Sequence, residues 1–340
     1  MIKLISPENG AVLSLETEKQ KEFVLFRETP AEREKNEPIR WDALERSGKD
    51  ETVPAPVAFE FLDDRGICGC YFLAISEYED MSCPMTYPLT ESKAKIYNLK
   101  VDTRYFWQVF KDGRSSEIFW FRTAPTLPRN IRLEGIVNIR DIGGYTVSGG
   151  RIRQGMVYRG GELDRHMHLT ALGVEELRVL GIKTEIDMRA EAIGEVDRTA
   201  AELLGARRVL TPLRPYVEIF DDCHRKEIRR FFKVFLSRKN YPIYFHCWGG
   251  ADRTGSFAFI LGAFLGMSYD DLLLDYEYTT LAIWSPRTRL TPNFVDMLDR
   301  FDRLEGERLC DKARSYLKDY AALSDDDLDK IYSILVEKDR

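Results

Sequence analysis

The chain has 340 residues, which favours two domains, and 44% hydrophobic residues, enough for sizeable cores. Its formal net charge of −6 argues against nucleic acid as a partner and against a generally basic, membrane-binding surface, though a local basic patch remains compatible with it. No apolar run approaches the roughly 20 residues of a membrane span. The opening Met1-Ile-Lys-Leu-Ile-Ser6 carries too short an apolar stretch for a signal peptide, and a trimmed leader is left open. Cysteines at 68, 70, 83, 223, 247 and 310 are too scattered for a disulfide framework, so a reducing, cytoplasmic setting is expected.

In chain order, short β-branched and aromatic runs come first: Glu22–Phe26, Pro56–Phe61, Tyr71–Ile75, Ala94–Leu99, Tyr105–Phe110 and Ile118–Arg122. Turn residues such as Lys111-Asp-Gly-Arg114 separate them, which predicts an antiparallel sandwich over residues 1–125. Cys68-Gly-Cys70 lacks the two-residue gap of metal or redox motifs and is expected to alternate along a strand, as small core residues. The charged stretch Glu28–Glu51 reads as a solvated loop or a short exposed helix. Leu99-Lys-Val-Asp-Thr103-Arg-Tyr105-Phe-Trp107 resembles the E–F corner of fibronectin type III domains, with Tyr105 as the corner tyrosine and Trp107 as core. Ala124-Pro-Thr-Leu-Pro-Arg-Asn130 is the expected linker.

Residues 126–340 alternate strands and helices, which predicts an α/β domain with a sheet flanked by helices. Strands are expected at Thr184–Met188, Arg208–Leu210 and Pro242–Phe245. Thr254–Gly266 carries Phe257, Ile260, Leu261 and Phe264 at helical core spacing. Ser268 with Asp271, and Ser324 with Asp327, are helix-opening pairs.

Between the third of those strands and the helix lies Y-F-H-C-W-G-G-A-D-R-T-G, residues 244–255. A tight glycine-bearing loop before a helix turns successive backbone N–H groups inward and forms an anion cradle. A thiol at its start, Cys247, is placed as a nucleophile, and the Arg253 fork can grip two phosphoryl oxygens. Trp248, Gly249, Gly250 and Ala251 would line the substrate, with Trp248 as a wall for a ring. Thr254 can offer its hydroxyl to the sulfur, and His246 can orient the loop. Cys223 and Arg229 share the cysteine–arginine spacing but have no glycine between them, and sit in an amphipathic helical pattern. His166-Met-His168 is read as a packing motif, and no metal or cofactor is expected.

H-C-x-x-G-x-D-R-T-G resembles the signature of cysteine-dependent phosphatases of the protein-tyrosine-phosphatase superfamily. Asp252 narrows the resemblance to a bacterial branch with mixed phosphotyrosine, phosphoserine/threonine and phosphoinositide activity. Val137–Tyr145, Val157–Leu163 and Leu169–Arg189 resemble that branch's upstream motifs, in order. The resemblance implies a protein-tyrosine-phosphatase-like fold and metal-independent hydrolysis of a phosphorylated protein or small phosphomonoester through a phosphocysteine, with phosphate as product. It makes Asp252 the first choice for general acid and Asp187 the second. Asp221 and Asp222 fit helix-start capping better. Arg140 and Asp141 are expected to brace the loop. Ala251 stands where phosphoinositide-handling relatives often carry lysine, so phosphotyrosine-type monoesters are favoured over inositol phosphates or phosphoinositides; a non-catalytic phospho-ligand-binding protein is the third reading.

Overall fold

The computed structural model describes residues 1–28, 48–192, 197–283 and 285–338. Two compact units divide the chain. Met1–Glu18 and Pro54–Leu127 form the first, and Lys19–Val53 and Pro128–Arg340 the second.

In the first unit, β1 (Ile2–Ser6), β3 (Val57–Asp63) and β6 (Lys93–Ile96) form one antiparallel sheet. The second sheet runs β2 (Ala11–Leu13), β9 (Phe119–Thr123), β7 (Arg104–Lys111), β4 (Tyr71–Ser76), β5 (Met85–Leu89), with the short β8 (Arg114–Ser115) on β7. Period-two burial explains the layering: Val57, Phe59 and Phe61 point inward while Ala58 and Leu62 are exposed. Both sheets contribute to one core, where Phe59 meets Trp107 edge-on at 5.0 Å. Cys68 and Cys70 are exposed rather than core residues, because the chain turns there: Gly66 and Gly69 take the left-handed φ of 77° and 73°, and the strand begins only at Tyr71.

The expected strand at Glu22–Phe26 is instead part of a helix, α1 (Glu18–Glu28), and it belongs to the second unit. There Phe23 packs edge-on against Tyr278 at 5.6 Å, and Arg27 pairs with Glu277 at 2.5 Å. Tertiary burial of one aromatic face overrode the local β preference. Of the charged stretch, residues 29–47 lie outside the described residues, but Asp50 is half-buried and accepts the Thr52 hydroxyl at 2.7 Å.

The second unit is built on a six-stranded sheet in the order β10 (Arg129–Asn130), β11 (Arg140–Asp141), β14 (Val157–Gly160), β17 (Ile243–His246), β15 (Thr184–Asp187), β16 (Arg207–Leu210). The last four run parallel. Strands β15 and β17 are buried along their whole length, as expected for a parallel sheet covered on both faces. A small sheet joins β12 (Thr146–Val147), β13 (Gly150–Ile152) and the C-terminal β18 (Val336–Glu337).

Among the described residues, the helices after α1 are α2 (Ala171–Leu180), α3 (Ala200–Leu203), α4 (Arg225–Lys233), α5 (Asp252–Leu265), α6 (Tyr269–Glu277), α7 (Pro292–Asp302), α8 (Leu309–Ala321) and α9 (Asp325–Leu335). Helix α5 is buried from Thr254 to Leu265, which explains its apolar character all round. Ser268 accepts the Asp271 N–H at 3.1 Å to open α6, and Ser324 and Asp327 form a reciprocal capping box on α9. Cys223 precedes α4 in a short 3₁₀ turn and is exposed; Asp222 pairs with Arg225 at 2.7 Å at that helix start.

Candidate active site

Strand β17 ends at His246, and α5 begins at Asp252, so Cys247–Ala251 form the connecting loop at the C-terminal end of a central parallel strand. Four successive carbonyls of this loop are taken up by the surrounding protein. The Cys247 carbonyl meets His246 Nδ1 at 3.0 Å. The Trp248 carbonyl accepts the Glu162 N–H at 3.0 Å. Asn138 Nδ2 donates to the Gly249 carbonyl at 3.0 Å, and Arg159 Nη2 to that of Gly250 at 2.6 Å. A trans peptide points its N–H opposite its carbonyl. The N–H groups of Trp248, Gly249, Gly250 and Ala251 are therefore turned away from these buried donors, which is the arrangement of an anion cradle. Gly250 is required by space as well as by conformation: its φ is 66°, and a Cβ there would lie 2.4 Å from the Gly160 carbonyl carbon.

The donors that hold the loop are themselves fixed by charge. Arg140 Nη1 donates to Asn138 Oδ1 at 2.6 Å, and its Nε to Asp275 Oδ1 at 3.0 Å. Arg159 pairs with the other Asp275 oxygen. Burial and the nearby Arg140 charge pull the Arg159 guanidinium down to about 10, opposed by Asp275. Asp275 stays well ionised, since the two arginines outweigh the burial that would raise its carboxyl. On its other flank, Asn138 donates its backbone N–H toward Asp50 at 3.4 Å.

Cys247 is buried, and its sulfur interacts electrostatically with both Arg253 and Arg159. Arg253 is held in a two-point pair with Glu191, at 3.2 and 3.1 Å, and donates to the Met188 carbonyl at 3.3 Å. His246 is fully buried and bonds Glu185 at 2.8 Å. Burial alone would lower its pKa, but the Asp187 charge and the Glu185 bond raise it to about 9, so the ring is a cation beside the thiol. Trp248 is 40% exposed and donates its indole N–H to His166 Nδ1 at 2.7 Å, a wall at the loop's outer side. Among the described residues the buried Thr254 hydroxyl has no hydrogen-bond partner, so the expected bond to the cysteine sulfur is not made in this state.

Arginines pair with both candidate acids. Asp252 receives Arg287 on both oxygens, Nε at 2.6 Å and Nη2 at 3.0 Å, and also the Tyr216 hydroxyl. Burial would raise its carboxyl, yet these bonds win and hold it below the usual carboxylate range. Asp187 is buried in full against Arg189 at 2.8 Å and Arg208 at 2.5 Å. Burial is outweighed there by the His246 and Arg189 charges, so its carboxyl is held below the usual carboxylate range. Asp141 binds Arg129 at 2.5 Å and the N–H groups of Gly143 and Gly155 at 2.8 and 2.6 Å. It organises the turns around β11, whereas Arg140 reaches the loop through Asn138. Asn138, Arg159, Glu191, Tyr216, Asp275 and Arg287 carry no sequence-level signal of these roles; Asn138 and Arg159 do fall inside the quoted upstream motifs.

The tyrosine phosphatase family profile matches residues 131–337. The chain belongs to the tyrosine phosphatase family. A Cupriavidus necator protein named "Putative tyrosine-protein phosphatase" is 30% identical over 173 residues, covering 43% of this chain. The match spans 62% of that relative's length. Among solved structures, the core catalytic domain of the S. cerevisiae PP-IP phosphatase SIW14 is similar at 15% identity with a TM-score of 0.30, covering 46% of this chain and 85% of that one. Among the described residues of this phosphatase-family chain, no helix is long and apolar enough to cross a membrane.

Proposed function

We propose that the second unit hydrolyses phosphomonoesters through a phosphocysteine, with phosphotyrosine-type substrates favoured and inositol phosphates or phosphoinositides as the alternative. The carrying observation is the set of four loop carbonyls taken up by His246, Glu162, Asn138 and Arg159, which leaves the opposed N–H groups to bind three phosphoryl oxygens. The Cys247 sulfur attacks phosphorus in line, forming the S–P bond as the ester P–O bond breaks, and the leaving oxygen takes a proton from a carboxylic acid. Water then attacks the phosphocysteine, loses its proton to the same carboxylate, and releases phosphate and the thiolate. Arg253, steadied by Glu191, follows the charge on the phosphoryl oxygens.

Asp252 is the carboxylate we assign to the proton steps. In the resting state Arg287 and Tyr216 keep it ionised, which suits the base of the second step. An incoming phosphate dianion beside it opposes that grip and raises its carboxyl toward protonation for the first step. Arg287 is then a positioning residue. Trp248 supports an aryl substrate, since its exposed indole can stack on a phenyl ring. Ala251 supplies no cation for a second phosphate. A reduced thiol at the centre fits a reducing compartment such as the cytoplasm.

We also read the first unit as fibronectin type III-like. Its three-stranded and larger sheets share one core, and the Tyr105 hydroxyl accepts the Lys100 N–H at 2.8 Å, as a corner tyrosine does.

The test is turnover of an aryl phosphate by the full chain in the presence of a chelator. Cys247→Ser should abolish it. Residual turnover in that variant, or dependence on a divalent ion, overturns the reading. Asp252→Asn should lose most rate on poor leaving groups and least on good ones; equal losses across leaving groups would remove Asp252 from the acid role.

A further inference from the structure

A second basic site lies apart from the catalytic loop, between the edge strand β16 and helix α4. It is a concave space of about 320 Å³ lined by Arg207, Lys226, Arg229, Arg230 and Lys233, with no carboxylate in its wall. Arg207 comes from the strand. The other four stand at helical spacings of three, four and seven, so one face of α4 is wholly cationic. The opposite face of that helix buries Ile228, Phe231 and Phe232 in the core, which fixes the cationic face toward the pocket. Val209 and Val234 give the site an apolar floor, and Asn240 adds a polar group at its rim.

Two ordinary explanations cover only part of this cluster. Arg230 and Lys233 in the last turn suit the helix dipole. Arg207 guards an exposed sheet edge. Neither explains Lys226 in the first turn, where a cation is disfavoured, nor the convergence of strand and helix on one hollow. Like charges three and four residues apart on a helix repel. Arg189, Arg208 and Arg253 of this unit, by contrast, are paired with carboxylates. None of the five cations here has an ion pair or side-chain hydrogen bond among the described residues. The chain as a whole is acidic, at −6, so the patch is not the overflow of a basic composition.

We propose that this pocket binds a small polyanion bearing closely spaced phosphate groups, outside the catalytic cradle. Five cations exceed what one phosphate dianion requires. A volume of about 320 Å³ suits a compact multiply phosphorylated group rather than an extended polymer. The same chemistry is offered by a soluble polyphosphate and by a multiply phosphorylated lipid headgroup, both met by Lys and Arg forks.

The experiment uses the full chain with Cys247→Ser, so that no probe is turned over. Sodium triphosphate is titrated by calorimetry with orthophosphate present to occupy the cradle. Vesicles of phosphatidylcholine, with and without a phosphatidylinositol bisphosphate, are tested by co-sedimentation. Triphosphate binding that weakens steeply with salt, and falls at least tenfold in R229E/R230E/K233E, is the expected result for a soluble ligand. Vesicle binding that needs the bisphosphorylated lipid and is lost in the same variant assigns the headgroup instead. The three changes in otherwise wild-type protein should leave aryl phosphate turnover within twofold, which verifies the fold. If they do not, Arg229→Gln with Lys233→Gln replaces them. Binding of either probe that is unchanged in a folded variant overturns the proposal, as does the absence of binding by both probes.

Discussion

Replacing Asp275 by Asn tests whether the catalytic loop is held by a buried charge network. Asp275 sits on α6 between two fully buried arginines, bonding Arg140 at 3.0 Å on one oxygen and Arg159 on the other. At an effective dielectric of 20 and charge separations of about 4 Å, each pair is worth about 4 kcal/mol before desolvation is subtracted. Deleting one partner leaves the other charges buried, and such losses run to about 3–5 kcal/mol. The folded-to-unfolded ratio at pH 7 should therefore fall by between about a hundred and five thousand. The depressed carboxyl of Asp275 stabilises the fold above its unfolded value near 4, and that contribution is lost as pH falls through the folded value. Wild type and variant should thus converge in stability as pH falls through the folded value. Urea unfolding at pH 7 and at successively more acid pH, with hydrogen exchange on peptides covering residues 243–265, reads both effects. Turnover should fall too, because Arg159 then loses its anchor while holding the Gly250 carbonyl. A loss under about 1 kcal/mol at pH 7 with normal turnover would refute the reasoning, since a network that tolerates an isolated buried charge is not what fixes the loop.

Asn138→Ala removes the grip on the Gly249 carbonyl and one partner of Arg140, and should lower kcat by roughly tenfold or more with little change in fold content by circular dichroism. His246 is raised to about 9 in the folded protein, so its contribution is complete below the unfolded value near 6.5 and is lost as pH rises to about 9. Denaturation at pH 6 and 9.5 should show a drop on the order of 3 kcal/mol that His246→Gln flattens. Arg287→Gln frees Asp252 from its two-point grip, so the carboxyl rises toward the ordinary range, keeps its proton to higher pH, and moves the alkaline limb of the kcat/KM profile upward; an unmoved limb would separate Arg287 from the proton steps.

The strand–loop–helix from His246 to Gly255 was legible because its signals are local. Cysteine, glycines, arginine and the following helix are contiguous, and steric need alone demands glycine at 250. Helix starts at Ser268 and Ser324 were legible for the same reason, since a cap bonds to a backbone three residues away. Segment 22–26 was not, because its apolar residues fit a strand as well as a helix and only the buried contact of Phe23 with Tyr278 decides between them. Cys68 and Cys70 alternate on paper, but the left-handed glycines beside them turn the chain before the strand begins.

Sequence by itself thus determined the strand–loop–helix that carries Cys247 and Arg253 and the family the chain belongs to. Only the tertiary structure decided which charges flank them. Asp252 is met by Arg287, thirty-five residues away, and Arg253 by Glu191, sixty-two residues away. Arg140 and Arg159, register partners on adjacent strands, converge on Asp275 of α6. Electrostatic partners act through distance in space and the dielectric around them, and neither quantity is written in residue spacing.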